Sequence, residues 1–371
     1  MGSIQRIERP KPWRARYRAP DGRQHSRSFT RKVDAEKWLR SEEGNADRGE
    51  WVDPTAGKVT YREWSDRWLS GLHSVKPKTL AGYESLLRSR VLPVFAGTEL
   101  RRITTTAVRE WVAAMVDEGL SPARTRQALQ VLHASLDVAV DDGLLARNPT
   151  DRVKPPPVRK RRQLFLTADQ LDALADAAEG LQEGAGALIR FLGYSGLRWG
   201  EAVALRWDAV DAERRRVRVR ESATEISGKL EWGAPKTHEV RMVIVPRFVA
   251  DGLVAGVENS TPEGLVFTAP RGGPLRHSNF TKGVWLPAVK AAESVPEGLL
   301  IHDLRDTAAS LAISAGASIK AVQRMLGHAS AAMTLDTYGS LFDEDLEDLA
   351  DRMQERYGPG RGDNVVRLSR S

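Results

Sequence analysis

The run IHDLRDTAASLAISAGASIKAVQRMLGHASAAMTLDTYGSLF, residues 301–342, decides how the rest of the chain is read. His302 and Arg305 stand three apart, which places them on one face of a helix. The following TAASLAISAG alternates small and apolar residues, so the other faces of that helix are buried. A buried His–Arg face is costly unless it meets an anion or an acid, and Asp303 and Asp306 are the acids at hand. Beyond them, His328 in LGH and Tyr338 in TY are joined by a connector rich in Ala, Ser and Thr, suited to a movable tyrosine. Alone, this pair reads more readily as a structural histidine and a half-buried aromatic than as a catalytic pair.

Two upstream stretches add to it. SGLRWGEAV, 195–203, sets Arg198 between two glycines at a predicted helix start, where free N–H groups and the helix dipole favour an anion. An arginine in a surface turn is the bland alternative. APKTHEVRMVIVP, 234–246, puts Lys236 in a tight polar turn before an alternating strand, placed to carry a proton into a groove. Lysines in turns are common, so this stretch decides nothing by itself. Together the six residues make a cationic surround for one hydroxyl nucleophile, with no carboxylate cage for a metal. Metal-free phosphoryl transfer on DNA needs such a set: arginines on the non-bridging oxygens, a general acid for the leaving alkoxide, and an attacking tyrosine.

Composition narrows the classes. The 371 residues exceed one typical core and suggest two or three domains. With no cysteine, disulfides, thiol nucleophiles and thiolate zinc sites are excluded, and the seven histidines are scattered without a metal-ligand pair. No apolar run is long enough for a bilayer, and the N-terminus has no signal-like apolar stretch, so a cytoplasmic protein without membrane attachment is expected. The net charge of +7 points to a polyanion. Residues 1–40 hold 12 Lys or Arg against 4 Asp or Glu, so a basic head precedes a nearly neutral body.

The expected fold is a multidomain α+β chain. Residues 1–57 form a small sheet-plus-helix domain: WRARYR and RQHSRSFT alternate as strands, PDG turns between them, and KVDAEKWLRSEEGNA is helical. Arg14, Arg16, Arg18 and Arg27 form its expected cationic face, placed for DNA phosphates or a groove; a merely solubilising face is the alternative. Residues 58–150 read as four helices, the last capped by Ser121-Pro122, with Gly119 and Gly143 as stops. Lys76, Lys78, Arg124 and Arg126 there are candidate phosphate contacts or plain solvated charge. Residues 151–163 are a Pro-rich, basic linker in which Arg159, Lys160, Arg161 and Arg162 are further candidates. Residues 164–357 should be mainly helical with a small antiparallel sheet, opening on a Thr167/Gln170 capping box, and 358–371 a flexible tail.

In order and spacing, Arg198 in GLRWGE, Lys236 in PKT, HDLR, LGH and TY resemble the tyrosine recombinase (phage integrase) family. The layout resembles lambda-type integrases, particularly those of actinobacterial phages. The resemblance implies an arm-type DNA-binding head, a SAM-like core-binding domain, and a catalytic domain that cleaves and rejoins strands through a 3′-phosphotyrosine on Tyr338. It implies Arg198 and Arg305 as the phosphate clamp, Lys236 as general acid, His302 in proton transfer, His328 on the phosphate and Glu201 as their orienting partner. It further implies double-stranded DNA with core and arm sites, a homotetramer, a Holliday junction, a host DNA-bending protein, an excisionase, a C-terminal helix docked on its own chain or on a neighbour, and neither metal nor cofactor. Many relatives carry histidine where this chain has Asp306. A chromosomal or transposon recombinase, a type IB topoisomerase and a catalytically silent DNA-binding regulator are the competing readings. The basic head and the complete catalytic set favour the integrase.

Overall fold

The computed structural model describes residues 2–20, 22–47, 51, 53, 56–158, 161–235, 240–254, 264–342 and 345–358. The chain forms two compact units, residues 1–160 and 161–371.

The first unit opens with an antiparallel sheet of β1 (Ser3–Arg6), β2 (Trp13–Arg18) and β3 (Gln24–Phe29), followed by α1 (Lys32–Asp47). β1 has no clear alternation in SIQR and was not among the expected strands. β2 alternates as expected. Ala15 and Tyr17 pack with Ala35 and Leu39 of α1, so Arg14, Arg16 and Arg18 take the opposite face. Across the strands, Arg14 faces Gln5 and Ser28, and Arg16 faces Ser3 and Ser26. The result is a central arginine row flanked by small or neutral polar residues. Arg27 corrects the expected face: it pairs with Ala15, so it lies on the α1 side, its guanidinium 5.3 Å from the Phe29 ring centroid.

The helical part comprises α2 (Tyr61–Ser70), α3 (Pro77–Leu86), α4 (Leu92–Phe95), α5 (Thr105–Asp117) and α6 (Pro122–Asp141). Thr60 and Glu63 make a reciprocal capping box at α2, and Ser121 caps α6. Gly119 and Gly143 take positive φ just past α5 and α6, the conformation that stops a helix most readily with glycine. One π turn, Leu87–Val91, joins α3 to α4. It ends two residues before Pro93, whose missing N–H and ring displace the carbonyl four residues back. Tyr61 and Trp64 are buried against α6, where Ser135 meets the Tyr61 hydroxyl at 2.8 Å and its carbonyl accepts from Trp64 Nε1 at 2.8 Å.

The second unit contains α7 (Ala168–Glu179), α8 (Ala185–Ser195), α9 (Trp199–Val203), β4 (Val210–Asp211), β5 (Arg216–Val219), β6 (Ser222–Ile226), β7 (Lys229–Gly233), β8 (Arg241–Ile244) and α10 (Arg247–Val254). It continues with α11 (His277–Phe280), α12 (Leu286–Ala291), α13 (Asp303–Ser314), α14 (Ile319–Leu326), α15 (Ala331–Tyr338) and α16 (Asp345–Tyr357). The predicted Thr167/Gln170 capping box is formed. α8 is apolar on nearly all sides and is buried between α7 and α13. A three-stranded antiparallel sheet, β4-β5-β8, covers this core, and β6-β7 is a separate hairpin that the sequence pattern did not announce. A second π turn, Thr281–Trp285, precedes Pro287, repeating the arrangement at Pro93. The connector between His328 and Tyr338 is not an extended tether: most of it is α15, capped by the Ser330 hydroxyl. Lys236, Arg159, Lys160 and nearly all of the predicted tail lie outside the described residues. Among those described, no helix is long and apolar enough to cross a membrane.

Candidate active site

The site is assembled around the short helix α9. Gly196 turns the chain with φ +65°, and Arg198 is the residue before the first turn. The dipole of a five-residue helix is small, and Glu201 already accepts the Arg198 backbone N–H at 3.0 Å. Positive potential here therefore comes from side chains. Glu201, buried, accepts from the Arg198 guanidinium at 3.0 Å and takes both arms of Arg241, at 3.0 and 2.6 Å. Burial works against the carboxylate, but the bonds and charges of Arg241 and Arg198 outweigh it and hold Glu201 below the ordinary carboxyl range.

Arg305 completes the cationic surround. It lies in the first turn of α13 and is 4% exposed. Its two terminal nitrogens donate to backbone carbonyls, Gly196 O at 2.5 Å and Leu326 O at 2.6 Å. The acids expected as its partners are engaged elsewhere. Asp303 accepts both arms of Arg161 at 2.7 and 2.9 Å and the Leu300 N–H, while Asp306 accepts from Tyr338. Burial, reinforced by Arg198 and opposed by Glu201, pushes Arg305 down to about 10, so it stays charged at neutral pH. A buried cation bonded only to neutral carbonyls is a seat for an anion.

The remaining wall is α14, Gly327, His328 and α15. Gly327 ends α14 at φ +65°, and a Cβ there would stand 2.8 Å from Arg241 Cδ. His328 Nδ1 is 3.0 Å from the Thr334 hydroxyl, and the imidazole lies parallel to the Tyr338 ring at 6.4 Å between centroids. Tyr338 is 2% exposed, and its hydroxyl donates to Asp306 Oδ1 at 2.5 Å. Burial first, then the Asp306 bond and charge, push this phenol well above the ordinary tyrosine range. His302, just before α13, is exposed; partial desolvation pushes its imidazole down, with Asp306 opposing and Arg305 assisting.

Burial, then the charges of Arg305, Arg198 and Arg241, lower His328 to about 4. Its unfolded counterpart titrates near 6.5, so the unfolded chain binds more protons between those values and stability falls as pH drops through that window. In urea titrations at pH 7.5 and 5, His328→Gln should lose less midpoint than wild type. Equal losses would remove His328 as the source.

Thus Arg198, Glu201, Arg305, His328 and Tyr338 converge on one region, with His302 at its exposed margin. Arg241, Gly327 and the Asp306 contact were missed in the sequence. The signal for Arg241 was its strand: it shares the inward side with buried Val243 and Val245, an odd place for an arginine without a partner. Of the candidate DNA contacts, Lys76, Lys78, Arg126 and Arg162 are exposed, and Arg124 donates to Gln127 at 3.2 Å. Arg161 is instead committed to Asp303 and Gly298 O. Separately, His133 and Asp137, one turn apart on α6, and Asp151 bring exposed ligand-type atoms within 4.8 Å of one another.

Residues 164–344 match the profile of the phage integrase family. Residues 2–48 match the phage integrase N-terminal domain, and residues 60–116 the phage integrase N-terminal SAM-like domain. The integrase of Mycobacterium phage D29 is 31% identical over 380 residues, covering 96% of this chain and 97% of that one. Among solved structures, the Tn1549 transposon integrase in complex with a circular intermediate DNA aligns with TM-score 0.68 at 21% identity, over 78% of this chain and 99% of that one. A lambda integrase tetramer bound to a Holliday junction aligns with TM-score 0.61 at 20% identity, over 87% and 91% of the two chains.

Proposed function

The chain belongs to the phage integrase family, whose members are site-specific tyrosine recombinases, and we propose that Tyr338 is its nucleophile and the buried arginines its phosphate clamp. The observation that carries this reading is Arg305: a buried guanidinium with no carboxylate on it among the described residues, in the same region as a buried tyrosine hydroxyl. A scissile phosphodiester seated on Arg305 and Arg198 has its non-bridging charge neutralised before attack and through the pentacovalent transition state. Tyr338 attacks phosphorus, a 3′-phosphotyrosyl bond forms and the 5′ oxygen leaves, protonated by Lys236. His302 and His328 flank the phosphate as further hydrogen-bonding groups. Glu201 orients Arg198. The phosphotyrosyl bond retains the energy of the broken linkage, so rejoining needs no nucleotide cofactor.

Double-stranded DNA is the proposed substrate, engaged at a core site by the helical part and the second unit, and at an arm site by the head. Strand exchange in pairs, through a Holliday junction, calls for a tetramer, as in the lambda complex. Integration and excision are then biased by a DNA-bending host protein and an excisionase. A chain lacking the head would suit a chromosomal resolvase better; the N-terminal match supports the integrase.

With a core-site suicide substrate, whose nicked end diffuses away after cleavage, the protein should accumulate as a covalent 3′ adduct with the modified peptide containing Tyr338. A protein that binds the site and forms no adduct would be a silent regulator instead. For the head, replacing Arg14, Arg16 and Arg18 together by Ala should flatten the log affinity–log salt slope for arm DNA by about 2–3, roughly 0.9 for each phosphate no longer neutralised. Arg27→Ala, on the other face, should change it by less than about 0.5. An unchanged slope in the triple variant would remove the arginine row from the arm interface.

A further inference from the structure

Resting on the assignment of Tyr338 as nucleophile, we infer that Asp306 is the proton acceptor for its hydroxyl during strand cleavage. The hydroxyl donates to Asp306 Oδ1 at 2.5 Å, within the short range of charge-assisted O–H···O⁻ bonds. A phenol attacks phosphorus efficiently only if its proton departs as the new bond forms. In this pocket burial disfavours a free tyrosinate, so a base in contact is required.

Among the described residues, one acceptor is in contact with the Tyr338 hydroxyl. Arg305, Arg198 and Arg241 are cations with no lone pair to offer. Glu201 is held by Arg198 and Arg241, and Asp303 by Arg161 and the Leu300 N–H. His328 Nδ1 is engaged by Thr334. His302 stands four residues before Asp306 on the same side of α13, but the tyrosine proton is bonded to the carboxylate. Asp306 also lies in the first turn of α13.

As the Tyr338 Oη–P bond forms and the P–O5′ bond breaks, the phenolic proton passes to Asp306, and the 5′ oxygen takes a proton from the general acid. The covalent intermediate therefore carries a neutral Asp306. On rejoining, the 5′-hydroxyl attacks phosphorus and Asp306 returns its proton to the departing Tyr338 oxygen.

The titratable and charged groups that interact with Asp306 among the described residues are Tyr338 on α15, His302 just before α13, and Arg161 from the segment before α7. The test is single-turnover cleavage of the core-site suicide substrate by the full chain between pH 6 and 9. Asp306→Asn keeps an oxygen that can accept the tyrosine hydrogen bond but cannot take the proton at neutral pH. It should cleave about 10²–10⁴-fold more slowly with core-site affinity unchanged, its rate climbing with pH. Asp306→His, with an acceptor nitrogen, should recover part of the rate. A purely positioning role predicts that Asn cleaves within about threefold of wild type with an unaltered pH profile, and that outcome overturns the inference. If Asn impairs folding, fluorinated tyrosine at position 338 in the otherwise native chain gives a second reading. With a base in contact the pH profile should be insensitive to the lowered phenol pKa; a profile that moves with it overturns the inference. An adduct at a residue other than 338 would instead overturn the nucleophile assignment.

Discussion

Tyr338→Phe should bind the core site with wild-type affinity and yield no covalent adduct, on any time scale at which the wild-type protein reacts to completion. The ring stays in its buried position among Ile313, Val322 and Leu326, so packing of α15 survives. Only the oxygen that would bond to phosphorus is gone. Among the described neighbours none replaces it: Arg305 and Arg198 are not nucleophiles, and the Thr334 hydroxyl faces His328. The substitution also leaves Asp306 without its tyrosine partner, and the resulting loss should be about 1–2 kcal/mol in a denaturant titration. Binding by mobility shift and adduct by denaturing gel separate the two effects. Adduct formation by the Phe variant would show that another side chain attacks.

Glu201→Leu should be the most destabilising substitution in the second unit, by about 3–5 kcal/mol, because it removes one partner of a buried ion cluster and leaves the others uncompensated. Arg241 and Arg198 converge on that single carboxylate, and Arg305 interacts with it electrostatically. Glu201→Gln keeps the shape and part of the hydrogen bonding but not the charge, and should fall between. The sign with pH follows from the depressed carboxyl: its contribution is complete above the unfolded value near 4.5 and disappears as pH falls through the lower folded one. The stability gap between wild type and Glu201→Gln should therefore be constant from pH 6 to 8 and close in strong acid. Equal denaturation midpoints at pH 7 would mean that the cluster relaxes into solvent.

Much of this was legible because it is local. β2 declares itself by strict alternation, α6 by Ser121-Pro122, and α7 by its reciprocal cap, each set by residues within one turn or pleat. The residues proposed as nucleophile and clamp could be picked out by their order in the chain. What escaped depends on pairing across distance. Arg27 looked like part of the cationic face because its strand was read alone; only the register against Ala15 puts it on the other side. The Asp303 and Asp306 alternatives were visible, yet their partners come from Arg161 and Tyr338, on other segments. The β6-β7 hairpin escaped because SATEI and KLEWG have weak alternation and pair only with each other.

The bonds made by Arg305 have a bearing on when the protein becomes dangerous to DNA. Its guanidinium bridges two carbonyls that lie 109 and 21 residues away along the chain. Neither is near until α8, α13 and α14 have come together. On the proposed assignment, a nascent or partly unfolded chain carries the reactive side chains without an assembled phosphate seat, and it should touch a duplex without nicking it. Competence to cut would then arrive with the completed core, and folding itself would guard the duplex.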